Sequence, residues 1–411
     1  MKLSLFGRWS MALFASLALG LGMTACGGGT IGYMWVLGQE YNNIAGFKID
    51  DYTGNLTQII NSPFASNGST PVSIVVKPGG RYVYVINQGK GGTATSAGAG
   101  QSIALYSVGG DGTLNYQQSY FTQGYISQWA QMDATGTYLY VLDKYSPDGS
   151  GFGSISAFTS DPNTGRLALI TNTNGCGTGT CPTVFDVGQS PFMMKTAGGC
   201  LFTVNQASPS NISQYAVGSG GVLTQAGLGS STTISPTPGQ ITSITATGSN
   251  VYLTDGKNDV IYQYTVGTNC SLIDGLTTTQ GPSGNVPAFA NVTNPSWTLV
   301  DSTGKYLYVL NQSSTSTITG TPFSSITAYT INATNQQLTP IAGAPYTVGS
   351  GPVCMSEDPT NQYMYISNFN DGTVTGKVLD PNTGELSSLT RGSTFTSVGQ
   401  SSCLAISGAI N

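Results

Sequence analysis

The side chains able to do acid–base chemistry in this chain are few. Its 411 residues hold 13 Lys and Arg, 18 Asp and Glu, and no His. The missing histidine removes Ser-His-Asp and Cys-His nucleophile pairs and every imidazole metal site. Hydrolysis of an ester-type bond needs a polarised carbonyl, an activated water and a proton for the leaving oxygen. Only a carboxylate could serve as the base here, and Glu357, Glu40, Asp143 and Asp255 are the candidates by position. Asp143 and Asp255 close the stretches "YLYVLD" and "NVYLTD", where sister stretches hold Asn87, Asn205, Asn311 and Asn368. That column reads in two ways. Asn and Asp bond to local backbone where a strand ends, or the column forms a ring of hydrogen-bonding groups around one mouth of the fold. Trp129, Phe192 and Trp297 form a second column, able either to pack between elements or to stack on a sugar ring or another flat ligand. The Asp-rich loops 143–151 ("DKYSPDGSG") and 255–259 ("DGKND") read as ordinary turns or as weak structural calcium sites. Neither has EF-hand spacing, and no other metal or cofactor is expected.

These residues ride on a repeat. Seven versions of one strand occur: "YMWVLGQ" at 33–39, "YVYVINQ" at 82–88, "YLYVLDK" at 138–144, "CLFTVNQ" at 200–206, "NVYLTDG" at 250–256, "YLYVLNQ" at 306–312 and "YMYISNF" at 363–369. Their central aromatics, from Trp35 to Tyr365, recur roughly every 55 residues, the mark of an array of supersecondary units. After each copy comes a second alternating run, such as "SIALY" or "SITAY", closing on an aromatic except at Lys377. A turn such as "DPNTG" and a short third strand follow, and a further strand with a Gly turn precedes each copy. No stretch sustains a helical period. The first unit lacks its leading strand, and the chain ends in an orphan one, "SSCLAIS" at 401–407. The expected fold is therefore all-β, a seven-bladed β-propeller of four-stranded antiparallel blades, with the ring closed by the C-terminal strand completing blade one.

The N-terminus predicts export. Lys2 and Arg8 precede an uncharged apolar run over 9–23, too short for a membrane span and suited to a secretory signal. It ends "MTAC", which resembles a bacterial lipobox with lipidation at Cys26; the alternative is an ordinary signal with an incidental Cys. The organisation reads as a signal peptide over 1–25, a flexible tether over 26–32 and the propeller over 33–411. The expected place is the bacterial cell envelope, lipid-anchored through Cys26 in the outer membrane or facing the periplasm. Charged residues make up 8% and form no basic block, so nucleic acid is not an expected partner. A monomer is expected. The six remaining cysteines, in an oxidising compartment, pair by blade position as Cys176–Cys181, Cys200–Cys270 and Cys354–Cys403.

"GKYLYVLNQ", "GRYVYVINQ" and "NPSWTLVDSTG" resemble the propeller repeats of 6-phosphogluconolactonase-type lactonases and their YVTN-type relatives, over almost all of the chain after Cys26. The resemblance implies a seven-bladed ring, lactone hydrolysis, and His, Arg and Glu near a central channel. In the family frame the inner strand reads Pro-x-His. The matching positions here hold Ser73, Trp129, Phe192, Gln240 or Ile241, Trp297, Cys354 and Cys403. Arg81 and Arg166 fall in turns and Arg391 beyond the last strand of blade seven. Two functions follow from these readings. One is a lactone or sugar-ester hydrolase working through carboxylates. The other is a non-catalytic scaffold binding a small molecule, glycan, peptide or protein partner at the channel face.

Overall fold

Each repeat folds as an antiparallel sheet whose strands step outward from a central channel. The computed structural model describes residues 29–175, 181–226, 232–233, 239–274, 288–289, 292–315 and 322–408. Blade two shows the plan, with an inner strand Pro71–Val76, a second strand Tyr82–Asn87, a third Ser102–Val108 and an outer one Leu114–Tyr120. The inner strands of blades three to seven are Tyr125–Met132, Pro191–Ala197, Ile241–Thr247, Pro295–Val300 and Pro352–Glu357. Blade one takes its inner strand, Ser401–Gly408, from the C-terminus, pairing antiparallel with Thr30–Gly38 as expected. Seven sheets result.

Two details differ from expectation. Six blades gain a short extra strand that pairs with the third, such as Phe64–Ala65 or Thr394–Thr396; blade two instead extends its outer strand. The first strand also begins at Thr30, inside the segment read as tether, because Thr30 pairs with Asp50.

The repeated aromatic is what joins blade to blade. Trp35 Nε1 donates to the Gly112 carbonyl at 3.0 Å and Tyr84 Oη to Gly165 at 2.6 Å. Tyr140 donates to Gly221 at 3.1 Å, Tyr308 to Gly384 at 2.8 Å and Tyr365 to Gly54 at 2.6 Å. Each acceptor sits in the turn before the outer strand of the next blade, at a left-handed position such as Gly54 (φ 67°) or Gly384 (φ 74°). A Cβ at Gly384 would lie 2.5 Å from the Tyr306 ring, so glycine is required by space as well as by φ. Burial raises the Tyr84 phenol to about 12, so it remains a donor at any ordinary pH.

Two seams depart from this rule. Blade four offers Phe202, which has no hydroxyl, and the turn position facing it is Cys270 at φ 59°. Cys270 is instead bonded to Cys200, with Cα atoms 5.7 Å apart. The disulfide thus occupies the seam where the tyrosine bond is missing. At the following seam Tyr252 is buried, its hydroxyl without a partner among the described residues, and Gln336 (φ 60°) replaces the glycine. The second expected bridge, Cys354–Cys403, joins the inner strands of blades seven and one across the closure, with Cα atoms 5.1 Å apart. Cys181 is disulfide-bonded, while Cys176 lies outside the described residues.

The two faces of the ring are distinct. Inner strands start, and second strands end, on what we term the upper face. Inner and second strands are joined by tight turns on the lower face. The chain enters on the lower face: Gly32 pairs with Gly408, and the Gly29 carbonyl accepts the Asp51 N–H.

Candidate functional site

A bulge near the start of every inner strand decides which side chains reach the channel. The register shifts between Pro71 and Ser73, Pro191 and Met193, Ile241 and Ser243, Pro295 and Trp297, and Pro352 and Cys354. An inserted residue flips the alternation beyond it. Trp129, Met193, Ser243, Trp297, Cys354, Cys403 and Ser73 consequently share one level. Phe192, expected beside Trp129 and Trp297, is the bulge residue one step above them, and Ser243 takes the blade-five position expected at Gln240 or Ile241.

At this level the channel is plugged. Trp129 of blade three and Trp297 of blade six meet with ring centroids 5.3 Å apart and planes tilted by 55°. Both indoles line two cavities. Above them lies a mouth of about 220 Å³ walled also by Phe192, Thr242, Ser296, Val353 and Ser402. Three of its hydroxyls hold the ring together. Thr242 donates to the Pro295 carbonyl at 2.6 Å, Ser296 to Pro352 at 2.9 Å and Ser402 to Pro71 at 2.9 Å. Gln312 and Val353 extend this mouth into a groove of about 290 Å³ between blades six and seven, with Asn294, Ser350, Phe369 and Asn370. The Gln312 carboxamide is exposed and, among the described residues, has no partner.

Below the plug is a chamber of about 360 Å³, to which all seven inner strands contribute. Its walls are mostly aliphatic and Met, with Gln131, Lys195, Thr245, Thr298, Ser356 and Asp133 as polar members. Lys195 was not anticipated. Counting alternately from Phe192 puts Met194 in the channel, whereas the bulge turns Met194 into the blade packing and Lys195 inward.

The carboxylates are placed elsewhere. Asp143 is fully buried, accepting from Gly124 N at 3.2 Å, Ser127 Oγ at 2.7 Å and Ser156 Oγ at 3.1 Å. Burial outweighs those bonds and raises its pKa to about 6. Asp255 accepts from the N–H groups of Gly239, Gln240, Lys257 and Asn258 and from the Tyr262 hydroxyl. Glu357 bridges blades on the lower face, taking Ser302 N at 2.7 Å and Ser302 Oγ at 3.0 Å; burial raises its pKa. Glu40 is exposed on the upper face beside Gly399. The four come from four blades and are not brought together. Asp133, on the lower rim of the chamber, accepts from the N–H groups of Thr135 and Tyr138, one on each oxygen.

The Asn column is likewise structural, and the ring of groups at the mouth does not form. Asn87, Asn205, Asn311 and Asn368 are at most 1% exposed. Asn311 shows the role. Its oxygen accepts Thr293 N at 3.0 Å from the incoming loop, and its amide donates to Thr327 Oγ1 at 2.8 Å on the third strand. Asn87 bonds Ser66 O and Ser102 Oγ, Asn205 bonds Ser213 Oγ, and Asn368 bonds Thr375 Oγ1. In blade one Gly38 holds this position, where a Cβ would strike the Val398 carbonyl. The Asp-rich loops close on themselves, Asp148 on Ser150 N and Asp255 on Asn258. Among the described residues no group of three or more His, Cys, Asp or Glu side chains gathers.

Comparison with known proteins agrees with this architecture. The family described as "Lactonase, 7-bladed beta-propeller" matches residues 30–184 and 253–402. No curated protein sequence matches. Among solved structures, a protein assigned as a 6-phosphogluconolactonase from Bacteroides uniformis aligns over 92% of this chain and 100% of its own, at 14% identity and TM-score 0.69. The Pseudomonas aeruginosa periplasmic gluconolactonase PpgL aligns over 93% of this chain and 100% of its own, at 16% identity and TM-score 0.65. A Lactobacillus plantarum protein aligns over 92% and 100%, at 14% identity and TM-score 0.65. Identities this low carry the fold alone.

Proposed function

The chain belongs to the seven-bladed β-propeller lactonase family, and from that premise we propose that it is an exported, lipid-anchored member that binds a neutral, sugar-like ligand in its upper mouth without hydrolysing it. The observation carrying this reading is the union of aromatic faces and a free carboxamide in one open cleft. Trp129, Trp297 and Phe192 offer apolar ring faces, and Gln312 with Asn370 offers amide donors and acceptors. Such mixed walls suit a polyhydroxylated ring, which is apolar on its faces and polar at its edge. Among the described residues no carboxylate or cation lines either the mouth or its groove.

Family membership favours a second reading, lactone hydrolysis. It needs a wall carboxylate free to take a proton. Asp133 is the carboxylate of the chamber wall, and both its oxygens are committed to its own turn. That commitment is why we favour binding over turnover.

Export is supported by the signal-like start, by two disulfides joining separate blades, and by a structural neighbour named as periplasmic. A lipid on Cys26 would sit three residues from Gly29, a reach of about 10 Å. It would hold the lower face toward the membrane and leave the upper mouth facing away.

Titration calorimetry against neutral mono- and oligosaccharides tests the reading. Gln312→Ala is expected to weaken binding by about 3- to 10-fold, the worth of one or two neutral hydrogen bonds. Trp297→Ala is expected to abolish it. Affinity unchanged in both variants, or binding confined to peptides, would refute the assignment.

A further inference from the structure

The lower chamber is walled off from the upper mouth by the Trp129–Trp297 plug and has its own chemistry. Two residues below the plug the inner strands form a further level, each member directly opposite a central aromatic of the repeat. Gln131 pairs with Tyr140, Lys195 with Phe202, Thr245 with Tyr252 and Ser356 with Tyr365. Gln131, Lys195 and Thr245 are on consecutive blades, so they make one polar arc. The opposite side is mainly apolar, with Val75, Leu299 and Ala405 and one hydroxyl, Ser356, between the last two.

Lys195 dominates that arc. Its side chain is half-buried in the channel wall, and among the described residues no acceptor or carboxylate engages it. Desolvation with no counter-charge lowers its pKa and favours the neutral amine, and a carboxylate beside it would favour the ammonium form. Lys77, at the end of the blade-two inner strand, differs: it donates to Ser160 Oγ at 2.8 Å and to the Gly136 carbonyl across a blade seam. Beside Lys195, the Thr245 side chain is also without a partner among the described residues. The Lys195 amine and the Thr245 hydroxyl thus line one chamber of about 360 Å³, each able to bond to an entering group.

We propose that the lower chamber binds a small organic carboxylate, whose oxygens are held by the Lys195 ammonium and the Thr245 hydroxyl, with Gln131 at their side. A monocarboxylate matches the single positive charge. A phosphate dianion would want a second cation, and Asp133 on the lower rim, which opposes any anion, opposes a doubly charged one more. The aliphatic side of the chamber receives the body of the ligand. The site is separate from the upper mouth and stands without the reading given for it.

Calorimetry with gluconate, methyl glucoside and inorganic phosphate on the purified mature protein tests this. Gluconate, or another member of a monocarboxylate panel, is expected to bind with one site. Lys195→Met should weaken it by at least about tenfold, as for loss of a charged hydrogen bond. Lys195→Arg should retain most of the affinity, and Thr245→Val should lose part of it, which keeps the test valid if the Met variant is poorly folded. Gln312→Ala should leave carboxylate binding unchanged while weakening methyl glucoside, which separates this site from the upper one. Carboxylate affinity indifferent to Lys195→Met, phosphate bound more tightly than every carboxylate, or no binding across the panel would each overturn the proposal.

Discussion

Replacing Cys200 by Ala and Cys270 by Gly is expected to lower the unfolding free energy by up to about 4 kcal/mol, and adding Phe202→Tyr to that variant is expected to return about 1 kcal/mol. The loss follows from opening a crosslink between residues 70 apart in sequence. The recovery follows from the plan of the other seams. Tyr140 and Tyr308 reach glycine carbonyls at Gly221 and Gly384, and glycine at 270 would present its carbonyl at the equivalent turn position. Glycine also removes the cost of holding Cys270 at φ 59°. Urea midpoints of the oxidised parent, the double variant and the triple variant measure all three levels. If Phe202→Tyr is neutral or destabilising in the disulfide-free background, the aromatic–glycine bond is not what joins the blades.

The second large effect concerns pH. Asp143 has its pKa raised by burial from 3.8 to about 6. The folded protein therefore keeps this proton up to about pH 6, while the unfolded chain releases it near the ordinary value. Between about pH 4 and 6 the folded state binds more protons, so raising the pH through that window removes stability. The full penalty, on the order of 2–3 kcal/mol, applies above the window. Asp143→Asn removes it. Asparagine fits, because Asn311 makes the same contacts in blade six, accepting a loop N–H and donating to third-strand hydroxyls. The variant should match the parent near pH 4 and exceed it near pH 7.5. Other carboxylates also titrate: Asp186 and Glu357 are raised by burial, while Asp50, Asp111 and Asp148 are lowered by turn hydrogen bonds. The informative quantity is thus the difference between variant and parent at each pH. A difference that does not change with pH would contradict the raised pKa.

The architecture was readable because each blade needs the same strand buried on both sides, so "GKYLYVLNQ" and its sisters recur with their aromatics in register. The orphan strand at 401–407 likewise implied closure. Residue spacing alone could not convey the inner-strand bulge. One extra residue exchanges the two faces of a strand, which set Phe192 a step too low and hid Lys195 behind Met194. The Asn and Asp column was ambiguous for a different reason. A polar residue at a strand end serves turn or ligand equally well, and only its burial at 0–1% exposure decides. The blade-to-blade bonds were invisible because donor and acceptor lie 76 to 81 residues apart within the chain and 311 across the closure.

The central claim is that this lactonase-family ring binds at its mouth and does not turn over. Its most direct test is pH-stat hydrolysis of glucono-1,5-lactone and related sugar lactones by the purified mature protein. The account predicts the uncatalysed rate at every protein concentration. A saturable rate that grows with protein and falls on Asp133→Asn would contradict it and place a working carboxylate in the channel.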